Sequence, residues 1–115
     1  MASIDWSSLS HEDLELLRLA LAAACRGPFF EDWEFGTLMG VTRSEMGEVV
    51  AAMSTTPVRW PDEAPEFFGV AANNALVNLW GYPLSEREVE ALAADWGVQR
   101  PDIGEFLDRQ RTPRR

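Results

Sequence analysis

The sequence predicts an all-α protein, a compact bundle of five to six short helices with an internal two-fold repeat of a helix-Gly-helix corner. Three kinds of observation lead there. Apolar residues recur at three- and four-residue spacing through most of the chain. Two Thr/Ser-x-x-Glu capping boxes open such stretches and glycines close them. No segment shows a sustained period-two pattern bounded by hairpin turns.

Ser10 caps a first helix over residues 11–25, with Glu12 and Asp13 against the positive end of its dipole. Leu14, Leu17, Leu21 and Cys25 share one face, and Gly27-Pro28 stops the helix. A short helix over Trp33 to Met39 follows, with Asp32 as its cap and Gly40 as its end. Thr42-Arg-Ser-Glu45 opens a helix of about residues 43–54, with Met46, Val49, Val50 and Met53 inward. Three prolines between Thr55 and Pro65 predict a loop. Glu66 to Trp80 is a helix that is apolar nearly all round, which predicts a central, buried position, with Trp80 turned inward. Ser85-Glu-Arg-Glu88 opens a helix that buries Val89, Leu92, Ala93 and Trp96 and ends at Gly97. Pro101 suits the first turn of a last helix with Ile103, Phe106 and Leu107 inward. Residues 1–111 thus read as one helical domain and 112–115 as a frayed, arginine-rich tail.

At 115 residues the chain has the length of one domain, and 46% hydrophobic content is too high for a disordered one. One cysteine excludes an intramolecular disulfide and a multi-cysteine zinc site, and one histidine excludes a multi-histidine metal site. His11 and Glu15 share a face as a weak metal pair would, but no third ligand is near in sequence, so neither a metal nor another cofactor is expected. Residues 1–8 lack the features of a signal peptide. The longest apolar run, Leu19 to Cys25, is far below the ~18–20 residues of a membrane span. A cytoplasmic protein without a membrane partner is the expectation.

The net charge is −9. Arg109, Arg111, Arg114 and Arg115 crowd the last seven residues, leaving 6 Arg against 19 acids before them. Such a body repels phosphates and anionic membranes, so nucleic acid is not an expected partner and a basic protein is. Cys25 lies on an apolar stripe and reads as a small hydrophobe rather than a nucleophile. Glycine-rich phosphate loops and nucleophile elbows are absent, and no enzymatic activity is expected.

Gly40-Val-Thr-Arg-Ser-Glu-Met-Gly-Glu-Val-Val50 aligns with Gly97-Val-Gln-Arg-Pro-Asp-Ile-Gly-Glu-Phe-Leu107, five of eleven positions being identical. Each copy, about residues 35–53 and 92–110, resembles a helix-turn-helix unit. The apolar or small positions of that pattern fall on Phe35, Gly36, Met39, Val41, Met46 and Val49, and on Leu92, Ala93, Trp96, Val98, Ile103 and Phe106. The resemblance implies a DNA-reading second helix. The exposed positions expected there are Arg43, Ser44, Glu45, Gly47 and Glu48, and Arg100, Pro101, Asp102, Gly104 and Glu105, which places two acids per copy where phosphates would lie. Gly47 and Gly104 read instead as close packing contacts between elements.

Two segments mix carboxylates with tryptophan most densely, and they form the candidate partner-binding set: Glu31, Asp32, Trp33 and Glu34, with Trp60, Asp62, Glu63 and Glu66. A desolvated indole anchors an interface while surrounding carboxylates steer a cationic partner. Asn74 and Asn78, one turn apart on the apolar helix, form a candidate polar pocket.

The missing lysine beside abundant Ala and Arg suggests actinobacterial codon usage. The whole is similar to small uncharacterised actinobacterial proteins and, by size and charge, to immunity-type proteins that neutralise nuclease toxins. The leading expectation is a protein-binding module, adaptor or immunity/inhibitor type, monomeric or homodimeric, docking on a basic protein. The alternatives are a helix-turn-helix transcription regulator and a small-molecule-binding protein with its pocket near Asn74 and Asn78.

Overall fold

The structure, a computed structural model, describes residues 4–111, with Arg111 by its backbone alone. A 3-10 turn at Trp6–Ser8 precedes α1 (His11–Arg26), α2 (Asp32–Met39), α3 (Arg43–Met53), α4 (Glu66–Gly81), α5 (Glu86–Trp96) and α6 (Arg100–Arg111), and no strand occurs among the described residues. The arginine tail beyond residue 111 lies outside them.

The polar starts of three helices follow from local sequence. Ser10 Oγ accepts from the Asp13 amide at 3.1 Å, and Thr42/Glu45 and Ser85/Glu88 form reciprocal capping boxes. In each case the residue before the cap is apolar (Leu9, Val41, Leu84) and packs on the core, as a hydrophobic staple does. Asp32 is not the cap of α2. Glu31 takes that position without a side-chain bond, and Asp32 is the first helical residue.

The two halves share one plan. Gly40 and Gly97 both end their helices in the left-handed conformation (φ 71°), each returning its amide to the carbonyl four residues back. Most packed helix pairs map onto one another when the halves are exchanged: α1·α3 with α4·α6, and α2·α4 with α1·α5, while α1·α4 forms the shared centre; α3 also packs on α4, a contact that α6 and α1 do not match in extent. Side chains repeat as well. Gly40 lies against Val70 and Asn74 of α4, and Gly97 against Leu19 of α1, the counterpart of Asn74. Gly47 faces Cys25, and Gly104 faces Trp80.

The core holds Leu14, Leu17, Leu21, Met46, Val49, Leu76, Leu79, Leu92, Ile103 and Phe106, all expected there, while Trp96 is only half-buried. Trp80, expected inward, is 46% exposed. Its ring lies across Gly104, where an added Cβ would come within 2.6 Å of it. No capping or periodic signal in the sequence announces the Trp6–Ser8 turn. It is held by stacking: Trp6 is 5.7 Å from Trp60 and 6.4 Å from Phe106, centroid to centroid.

Candidate functional site

Two arginines expected to face outward do not. Arg43 sends Nη1 to the Cys25 carbonyl (2.6 Å), Nη2 to the Phe30 carbonyl (2.7 Å) and Nε to Asp32 (2.9 Å). Its counterpart Arg100 donates to the carbonyls of Leu79 (2.9 Å), Trp80 (2.7 Å) and Tyr82 (2.7 Å). Each guanidinium satisfies carbonyls at the C-terminal end of the first helix of its own half, where positive charge also meets the negative end of the dipole. What the second helix of each corner turns to solvent is therefore Ser44 and Glu48, or Pro101, Asp102 and Glu105.

The two candidate segments lie at opposite ends of α4. Trp60 packs edge-on against Phe68 in the first turn of α4, and Glu34 accepts a hydrogen bond from Tyr82 just after its last. Phe68 to Tyr82 spans about 20 Å of helix. The segments do not form one surface.

At the Trp60 end the indole is half-buried, closed between Trp6 and Phe68. Asp62 pairs with Arg59 at 2.9 Å, and Glu63 and Glu66 are exposed. At the other end Trp33 is 79% exposed, the most exposed of the large apolar side chains among the described residues. Glu31 and Asp32 beside it are exposed, with Asp32 held by Arg43 and Glu34 held by the Tyr82 hydroxyl. The bond to Glu34 needs a neutral phenol and pushes the Tyr82 pKa up, with burial adding to it.

Asn74 donates to the Met39 carbonyl (2.9 Å), and Asn78 to those of Leu38 (3.0 Å) and Asn74 (2.8 Å). They close the C-terminal end of α2 onto α4, and a cavity of note lies elsewhere. An open cleft of about 460 Å³ sits between the end of α1 and the first turn of α2, lined by Cys25, Arg26, Phe30, Glu31, Asp32 and Arg43. The Cys25 thiol donates to the Arg43 carbonyl at 3.4 Å, and burial pushes its pKa up, so it stays protonated and a poor nucleophile at neutral pH.

The chain matches no family model, no curated protein and no solved structure. Its chemistry is therefore read from its own side chains. Among the described residues no group of three or more potential metal ligands assembles, and no helix is long and apolar enough to cross a membrane. The sequence pointed to Trp33 and its carboxylates by composition. It gave no sign that Arg43 and Tyr82 would fix two of those carboxylates, since both partners come from other elements.

Proposed function

We propose that this chain is a protein-binding module of adaptor or inhibitor type that docks on a basic partner, with Trp33 as anchor and Glu31, Asp32 and Glu34 around it. The observation that supports this reading is the 79% exposure of Trp33 in the middle of three carboxylates. Covering an indole so exposed removes about 200 Å² of apolar surface from water, worth roughly 5 kcal/mol at most. The carboxylates draw a cation in, and the two held by Arg43 and Tyr82 lose little freedom when it arrives. Trp60 falls outside this anchor role, because Trp6 already stacks on its ring and Phe68 packs edge-on against it.

The test is capture from native extract with the wild-type chain and with Trp33→Ala, followed by identification and isolated binding of what is captured. A basic protein that binds the wild type and loses affinity for Trp33→Ala supports the reading. Acidic partners alone, or partners indifferent to Trp33, contradict it. Sequence-selective DNA binding at physiological salt, surviving deletion of residues 109–115, would instead favour a helix-turn-helix regulator.

A further inference from the structure

We propose that the outward stripe of α4, formed by Val70, Asn73, Val77 and Trp80, receives the apolar face of a basic amphipathic helix of the partner. The proposal rests on the protein-binding reading above and names the element that is bound. The four positions follow each other at spacings of three, four and three, the seam at which one helix lies along another. They run for about 15 Å, three turns of a partner helix. Val70, Val77 and Trp80 are 40%, 45% and 46% exposed.

The molecule contains its own control. In the first half the corresponding stripe of α1 is Glu15, Arg18, Ala22 and Cys25, where Glu15 and Arg18 form an ion pair and Ala22 is buried. The same plan is thus built with a charged or small stripe in that place. Val70 rests partly on Gly40 and Trp80 on Gly104, while nothing in the packing demands that Val77 between them stand open to water. Gly104 points the same way. It leaves room for the Trp80 ring to lie flat on α6, supported from below with its other face outward, whereas Gly47 has only the small Cys25 to receive. An indole fixed in this manner loses little entropy when it is covered.

Charge selects the occupant. The stripe itself is uncharged. Glu66 stands one turn before Val70 on the same side of α4, and Glu105 is exposed next to Gly104 on the helix that carries the Trp80 ring. Arg100, the basic residue at that end of α6, is turned onto the carbonyls of α4. Asn73 donates to Asn74, leaving its own carbonyl oxygen for an incoming donor. An apolar floor with acidic borders complements a helix with leucine-like residues on one face and Lys or Arg beside them. A second copy of this chain would set like charges against each other along the same borders.

The experiment uses the full chain and a synthetic peptide of about 20 residues, with leucine at heptad a and d positions and lysine elsewhere, beside a scrambled peptide of identical composition. The patterned peptide should bind at least about tenfold more tightly than the scrambled one, gain helicity, and shift the amide resonances of residues 70–80. Val70→Asn with Val77→Asn, both at exposed positions and neutral in charge, should weaken it by about tenfold or more. Trp33→Ala should change this affinity much less. Should the double variant fail to fold, Val77→Asn alone and the resonance map of the wild type decide the matter. Equal affinity for both peptides, or resonance shifts away from α4, would overturn the assignment. Loss of binding with Trp33→Ala but not with the valine pair would overturn it while leaving Trp33 as the anchor. Dimerisation of the chain alone, abolished by the valine pair, would give the stripe to a second copy and overturn it too.

Discussion

Replacing the two mid-helix glycines of the internal repeat, Gly47 and Gly104, by alanine should move stability in opposite directions. Gly47 and Gly104 occupy the same place in α3 and α6, both inside a helix, where alanine gains about 1 kcal/mol of backbone propensity. A Cβ on Gly47 meets only the Cys25 sulfur at 3.9 Å, an ordinary contact, so Gly47→Ala should stabilise the fold by up to about 1 kcal/mol. A Cβ on Gly104 comes within 2.6–2.9 Å of three carbons of the Trp80 ring, which must tip away. Trp80 is 46% exposed, so roughly 135 Å² of it is covered, worth about 3 kcal/mol as an upper bound. Losing most of that against the propensity gain leaves Gly104→Ala destabilising by about 1–2 kcal/mol. Urea unfolding followed by far-ultraviolet circular dichroism measures both. In a Trp80→Ala background Gly104→Ala should turn stabilising, a coupling of about 2–3 kcal/mol between the two sites. Equal effects at the two glycines, or a cycle with no coupling, would refute the seat assigned to Trp80.

Leu76 is fully buried in α4, and Leu76→Ala should cost about 2–5 kcal/mol in the same assay; a loss near zero would mean that α4 is not central. Tyr82, the sole tyrosine, should titrate above its ordinary value near 10 when phenolate absorbance is followed, because its hydroxyl donates to Glu34. A pKa raised by folding adds stability that is complete below the unfolded value and disappears as pH climbs through the folded one. Stability should therefore fall above about pH 10, and Tyr82→Phe should remove that contribution; a midpoint at or below 10 would contradict the bond. Duplex DNA should bind weakly, with steep salt dependence, and not at all after deletion of residues 109–115; binding that persists would point to the corners instead.

The helices that open on Ser10, Thr42 and Ser85 were legible because cap, staple and apolar face lie within a few residues of one another. The repeat was legible as well, through glycines whose left-handed backbone is tied to their position. What escaped depends on partners distant in sequence. Asn74 and Asn78 close α2 across 35 and 40 positions, which no local pattern announces. Arg43 and Arg100 read as surface charge until the carbonyls of α1 and α4 are placed beneath them. A helix apolar on nearly every side cannot disclose its outward arc, so its pattern turns Trp80 inward although the side chain is 46% exposed. Trp33 and Trp60 look alike in composition. Only the unforeseen Trp6 turn, folding over one and not the other, separates them.

Association kinetics of the captured partner across a salt series test the central claim most directly. Reversing charge at Glu31 and Asp32 should slow association and flatten its salt dependence, because those carboxylates steer the approach. Trp33→Ala should leave association nearly unchanged and raise the dissociation rate about thirtyfold or more, the loss of roughly 2 kcal/mol or greater that an interface anchor carries. Rates unmoved by either change, with the fold intact by circular dichroism, would contradict the account and leave Trp33 and its carboxylates as solvated surface.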